Sequence, residues 1–349
     1  MQFRKAFGLL LATVFVLSLV AAVQAQDGWE FSGYAQFRFE SMDPDLHGDD
    51  ATDEFDVRRA RVKIQGPVSD ETTFRIQFGL GGVDDDGSDG IDLKDLYLKR
   101  QINPDWVGRV GFGNMEFGFD VPYSSSSRLP FERCEIADIL LDGERTTGAF
   151  FFYEPEKDAS TPMVTLGISE DMAKYHRKDD GKRISIKEAL ALSARAEWPL
   201  QNDGSVGVSY LTSNADYWEW VPAVGQQPAQ WQTNDFTDDI WGAWIRYNGV
   251  NGMGGLNFQG EYIDGSRGDV DSSGWYGLVE FSPKDSQGTF FYRYDTAETD
   301  GVDDDYTGNT LGYAYDIDSS QRITAQMKDV DDMGGNSGTD YGVQWQIKY

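Results

Sequence analysis

The chain has 349 residues, with 59 Asp and Glu against 30 Lys and Arg and a formal net charge of −29. That charge excludes nucleic acid as a partner, because a phosphate backbone needs a basic footprint. A single cysteine, Cys134, excludes an intramolecular disulfide and a Cys-based zinc site, and two histidines, His47 and His176, leave little for His-ligated metals or a His general base. With 14% aromatic residues and 39 glycines, the composition is that of a large all-β protein.

The first segment reads as an export signal. Arg4 and Lys5 make a basic start, Ala6 to Val20 is apolar, and Val23-Gln24-Ala25 places small residues at −3 and −1 of a cleavage site. The apolar run is shorter than the roughly 20 residues of a helical span. Cleavage after Ala25 leaves 26–349 as the exported chain, which contains no apolar run long enough for a transmembrane helix. Two classes remain: a soluble exported β protein, or a closed barrel in the outer membrane of a Gram-negative cell.

Strand periodicity begins at once. Trp29, Phe31, Ala35, Phe37 and Phe39 alternate with Glu30, Ser32, Gln36 and Arg38. The pattern predicts strands at 29–39, 55–65, 73–80, 91–100, 106–112, 145–153, 162–168, 189–198, 205–213, 240–247, 256–263, 274–282, 289–294, 306–316, 322–330 and 341–349. The last is the clearest, with Tyr341, Val343, Trp345, Ile347 and Tyr349 on one face. Strands of 9–11 residues suit a tilted barrel strand crossing hydrocarbon, whereas sandwich strands average about five or six. The predicted fold is therefore all-β: a sixteen-stranded antiparallel transmembrane β-barrel.

The connections alternate in length. Those after even-numbered strands are short and rich in turn formers, as in Gly66-Pro67, Asn103-Pro104-Asp105 and Asn202-Asp203-Gly204. Those after odd-numbered strands, including 113–144, 169–188 and 214–239, are long. The eight long loops hold 40 of the 59 acids and 9 of the Lys and Arg, while the rest of the exported chain is neutral. Short turns on one rim and long loops on the other are outer-membrane barrel architecture, with both termini on the short-turn side.

Alternation also assigns the lumen. With Ala60, Val62 and Ile64 outward, Arg59, Arg61 and Lys63 face inward. Arg75 on the next strand, together with Arg38, Arg109, Arg195, Arg246, Arg293 and Lys328, falls on a polar face. One reading is a positive stripe that attracts anions. The other is that these cations pair with lumen acids such as Glu197, Glu261 and those of 113–144. Arg58 has the wrong parity for the lumen and is expected near a membrane interface, where charge costs little.

The 32-residue stretch 113–144 is too long for a plain hairpin and carries apolar residues (Phe117, Phe131, Ile136, Leu140) that solvent would waste. Folded inward against the wall, it would bury them and narrow a channel. The candidate constriction residues are Glu116, Asp120, Arg128, Glu132 and Arg133; Cys134 reads as a small buried residue.

Several motifs carry a family resemblance. Phe55-Asp56-Val57-Arg58-Arg59-Ala60-Arg61-Val62-Lys63-Ile64-Gln65-Gly66 resembles the N-terminal motif of the phosphate- and polyphosphate-selective porins. So do Lys94-Asp95-Leu96-Tyr97-Leu98, Arg109-Val110-Gly111 with Phe117-Gly118, and Ser124-Ser125-Ser126-Ser127-Arg128-Leu129-Pro130-Phe131-Glu132-Arg133. The resemblance covers roughly 55–150. It implies a trimeric sixteen-stranded barrel whose third loop folds into the pore, set in outer-membrane lipid and lipopolysaccharide. The chain departs from the pattern in its third loop: 113–144 has no lysine and a net charge of −5, whereas a phosphate site needs clustered cations. Tyr349 replaces the terminal phenylalanine usual in such barrels.

Enzymatic motifs are missing: no Gly-rich phosphate loop, His-Glu-x-x-His or Gly-x-Ser-x-Gly occurs. No cofactor is expected, although Gly81 to Asp92, Asp84-Asp85-Asp86 and Asp303-Asp304-Asp305 are acidic enough for loop-bound calcium or magnesium. The reading is a passive channel for small hydrophilic solutes and ions with a weak anion preference. The alternatives are a phosphate- or polyanion-selective porin, and a soluble exported calcium- or glycan-binding β protein.

Overall fold

The computed structural model describes residues 28–48, 51–80, 91–141, 145–155, 161–170, 184–201, 204–221, 230–249, 255–268 and 270–349. The expected signal 1–25, His176 and Asp84–Asp86 lie outside them.

Sixteen antiparallel strands close into one barrel, each paired with its sequence neighbours and the first with the last. They are β1 (Glu30–Ser41), β2 (Asp53–Ser69), β3 (Thr72–Leu80), β4 (Ile91–Asn103), β5 (Trp106–Asn114), β6 (Arg145–Tyr153), β7 (Met163–Glu170) and β8 (Ile184–Pro199). β9 (Ser205–Val221), β10 (Gln230–Tyr247), β11 (Gly255–Arg267), β12 (Val270–Ser282), β13 (Gly288–Thr299), β14 (Tyr306–Asp316), β15 (Gln321–Asp331) and β16 (Ser337–Lys348) complete it. Two short helices, α1 (Pro44–His47) and α2 (Glu135–Leu141), lie in the first and third long connections.

The strand count and order match the alternation, but the strands run further than expected on the long-loop side. The expected loop 214–239 is largely a paired hairpin, with Val221 opposite Gln230, and 264–273 closes with Arg267 opposite Val270. Backbone pairing does not depend on apolar side chains, so the wall continues past the hydrocarbon where the alternation stops. Much of the acidic charge therefore lies on a rising rim of sheet rather than in free loops.

The outer face is apolar: Val110, Phe151, Leu192, Ile245, Leu311 and Trp345 are among its exposed side chains. Ring pairs such as Trp106–Tyr153, Trp241–Tyr262 and Trp275–Tyr294 mark its aromatic positions. An exposed apolar wall would be costly in water and is favourable in lipid. The barrel seam is closed by reciprocal bonds, Gly33 N–H to Tyr349 O at 3.0 Å and Tyr349 N–H to Gly33 O at 3.1 Å, and by Phe37 opposite Trp345.

One irregularity matters for the lumen. The β1–β2 register shifts between Gln36 and Phe37: Gln36 faces Arg59 and Phe37 faces Val57, which leaves Arg58 as the extra residue of a β-bulge. A bulge re-aims a side chain, and it turns Arg58 inward beside Arg59. The interface position expected for Arg58 is thus corrected.

Candidate functional site

The third connection crosses the lumen. Its apolar residues Met115, Phe117, Val121, Leu129, Cys134, Ile136, Leu140 and Leu141 form one buried cluster with wall residues from β9 to β15, including Leu211, Ile240, Ile263, Leu278, Phe291 and Ala314. The inner wall on that side is apolar because the loop covers it. Burying six large side chains contributes on the order of 10 kcal/mol gross, part of which offsets the ordering of the loop. Burial, with Asp120 and Glu261 nearby, pushes the Cys134 thiol well above its usual range, consistent with an inert packed residue.

Polar contacts fix the loop at both ends of its path. At the β11 side, Gly118 adopts φ 61°. The Phe119 and Asp120 N–H groups donate to the Glu261 carboxylate at 2.9 and 3.0 Å, Gly118 N–H donates to Ser209 Oγ at 2.9 Å, and Arg195 Nε donates to Gly118 O at 2.9 Å. At the seam side, Tyr34 Oη and Ser125 Oγ lie 2.6 Å apart, and the Gln346 amide donates to Ser126 O at 2.9 Å.

The strongest charge contact joins two of the sequence motifs. Glu132 accepts from Arg38 Nη2 at 2.8 Å, Arg58 Nε at 3.0 Å and Arg59 Nη2 at 2.6 Å. Enclosure in the lumen would raise its pKa, but the guanidiniums of Arg59, Arg38 and Arg58 outweigh it and hold the carboxyl well below the usual carboxylate range. Nearby, Asp138 reaches channel water yet is enclosed by loop and wall. That enclosure pushes its carboxyl up to about 7, with Arg133 opposing and Asp120, Glu132 and Glu135 adding to the rise.

The space left between the loop and β1–β6 is a chamber of about 350 Å³. Six cations line it, Arg61, Arg75, Lys99, Arg109, Arg133 and Arg145, against two carboxylates, Asp95 and Glu116, with Tyr34, Tyr97, Tyr123, Ser124 and Ser125 between them. The acids are recessed behind their partners. Asp95 is 5% exposed, 2.7 Å from Arg75 and 3.6 Å from Arg145, and Glu116 is 2.7 Å from Arg109. Arg61 lies over the Tyr34 ring and Arg75 and Arg109 over Tyr97. A lower recess adds Lys63 and Lys348 beside Arg61 and Arg75.

Of the expected wall cations, Arg61, Arg75 and Arg109 border the chamber and Lys63 the lower recess, while Arg38 and Arg59 hold the loop. Further around, Arg195 binds Glu197 at 2.6 Å and Arg293 binds Asp295 at 2.8 Å, while Arg246 and Lys328 stack on Phe119 and Tyr306. The two loop cations are engaged as well: Arg128 lies 3.5 Å from Asp120, and Arg133 donates to the Asp120 and Val121 carbonyls. Arg75 and Arg109 do both: they border the chamber and are each paired with an acid. Sequence reasoning missed Arg58, Asp95, Lys99 and Arg145. Asp95 and Lys99 share the parity of Tyr97, a signal that was present; Arg145 sits at the loop boundary, where alternation is silent. Among the described residues, no group of three or more His, Cys, Asp or Glu is placed to hold a metal ion, which leaves Asp303–Asp305 without such a cluster.

The family model for phosphate-selective porins O and P matches residues 31–296. No curated protein matches the sequence. Solved structures share the fold. OmpT of Vibrio cholerae in its trimer form superposes with a TM-score of 0.62 at 13% identity, covering 92% of this chain and 99% of that one. OprB of Pseudomonas putida gives 0.66 at 11%, covering 92% and 94%. An anion-selective porin from Comamonas acidovorans gives 0.63 at 13%, covering 92% and 98%.

Proposed function

The chain belongs to the phosphate-selective porin O and P family, and on that premise we propose that this outer-membrane porin passes small hydrophilic solutes and ions with a weak preference for anions. The observation that carries the reading is the chamber beside the third loop, where six cations border the space and the two carboxylates sit behind their partners. Charges at a constriction act across a few ångströms, whereas the field of the acidic rim is screened over a Debye length of about 8 Å at physiological salt. The preference is weak because Arg75 and Arg109 each already face an acid.

Phosphate selectivity, the reading the family name favours, has little support in the third loop. That loop has no lysine, and both its arginines are engaged within it. A porin does its work as a channel rather than as an enzyme. We place the chain in the outer membrane as a homotrimer after loss of 1–25, in contact with lipid and lipopolysaccharide, with the short turns in the periplasm. The trimer form of OmpT supports that assembly.

The test is the reversal potential across a KCl gradient in planar bilayers. The wild type should be slightly anion-selective, and Arg61→Gln with Arg75→Gln should move the potential towards cations. A potential that the double variant leaves unmoved would overturn the reading.

A further inference from the structure

Three guanidiniums from two strands converge on a carboxylate that belongs to neither strand. Arg38, Arg58 and Arg59 reach Glu132 at 2.8, 3.0 and 2.6 Å. The wall holds two of these cations independently of the loop. Gln344 Oε1 accepts from Arg38 Nε and Nη2 at 3.1 and 2.9 Å. Gln36 accepts from Arg59 Nη1 at 3.3 Å and is itself fixed on Gln346 at 2.8 Å. The bulge supplies the third. Glu40 lies 3.3 Å from Arg38, and Glu54, Asp56 and Asp340 line the adjoining recess together with Arg293 and Lys328. Glu132 borders a recess of about 260 Å³, and 37% of its side chain is exposed. Preorganised, forked donors around one carboxylate are the construction of an oxyanion site.

We propose that Arg38, Arg58 and Arg59 form a binding site for solute carboxylates, and that Glu132 is its resident intramolecular ligand. The filled site masks three guanidiniums and keeps the anion preference of the channel weak. Glu132 is in this sense the specificity-determining residue. Its tether gives it a high effective concentration at the site, so a monocarboxylate does not displace it. A tricarboxylate, which can engage several guanidiniums at once, competes when concentrated and binds freely when the Glu132 charge is gone. The proposal rests on the lumen of the porin described above, but it concerns arginines outside the chamber.

The experiment compares wild type with Glu132→Gln and Glu132→Asp in planar bilayers, with citrate added on the long-loop side. In E132Q the permeability ratio of chloride to potassium should rise about twofold or more. Citrate should reduce its current at concentrations about tenfold lower than in wild type. E132D, which keeps the charge, should resemble wild type. A wild-type reversal potential and wild-type citrate response in E132Q would overturn the proposal. So would an E132D channel behaving like E132Q, since loop position rather than charge would then be responsible. Because losing the contact can also impair folding, the second measurement uses wild type and Arg58→Gln, which retains Glu132. Citrate block at high concentration should be present in wild type and lost in R58Q, and equal block in both would overturn the site. These outcomes are differences between variants, so they stand apart from the sign of the wild-type potential.

Discussion

Arg58 and Glu132 meet at 3.0 Å inside the barrel, although the alternation of β2 assigns Arg58 to the lipid side. The bulge opposite Gln36 and Phe37 resolves the conflict by turning two consecutive arginines inward. A Val-Arg-Arg-Ala-Arg strand and a Phe-Glu-Arg loop segment, 74 positions apart, thereby become one contact.

The contact predicts the behaviour of Arg58→Ala. Glu132 would keep Arg38 and Arg59, so the barrel should lose only about 1 kcal/mol, as for partly exposed pairs. The loop would be held less firmly, and single-channel recordings should show more frequent conductance fluctuations with little change in the heat-modification temperature. A quiet channel identical to wild type would show that Arg58 does not position the loop.

Asp95 compensates two chamber cations from a nearly buried position. Asp95→Asn should destabilise the barrel by roughly 3 kcal/mol, because removing one member of a buried pair leaves the other uncompensated. It should also shift the reversal potential towards anions. An unchanged potential, or a shift towards cations, would show that Asp95 does not offset the charge of the chamber cations.

Gly118 occupies a left-handed conformation, and a Cβ there would collide with the Glu261 carboxylate. Gly118→Ala should cost about 1–2 kcal/mol in backbone strain alone. Relief requires the loop to leave β11, so conductance should rise. Unchanged conductance and stability would refute the clasp.

Asp138 titrates in an unusual range for an aspartate. As its carboxyl is raised to about 7, the folded state holds its proton where the unfolded chain, near 3.8, has lost it. This group's contribution to stability is therefore present at low pH and is lost as pH rises from the unfolded value through the folded one. Acidification from neutral pH also removes a lumen negative charge, so anion preference should grow between pH 7 and 5. In Asp138→Asn the change over that window should be smaller than in wild type. A wild-type pH response persisting in the variant would assign it to another group.

The closing seam makes a prediction of assembly. Deleting 341–349 removes the Gly33–Tyr349 bonds and the whole β1–β16 pairing from Tyr34 to Ser41, leaving an open edge in lipid at several kcal/mol per unpaired group. Such a chain should not give a heat-modifiable barrel on gels.

The sequence by itself determined the barrel. Period-two alternation in 341–349 and 29–39, the sixteen repeats and the sorting of short turns from acidic loops all follow from a wall with lipid outside and water inside. That is a one-dimensional constraint, written residue by residue. It also carried the burial of Phe117, Ile136 and Leu140, because solvent offers no place for them. Only the tertiary structure decided which cations face the channel. Pairing partners such as Arg75 with Asp95, or Arg59 with Glu132, lie tens of residues apart, and no local pattern encodes them. A single bulge inverted Arg58, because one extra residue shifts parity without leaving a mark in composition. The extent of the strands was likewise hidden, since hydrogen bonding continues after the hydrophobic signal ends.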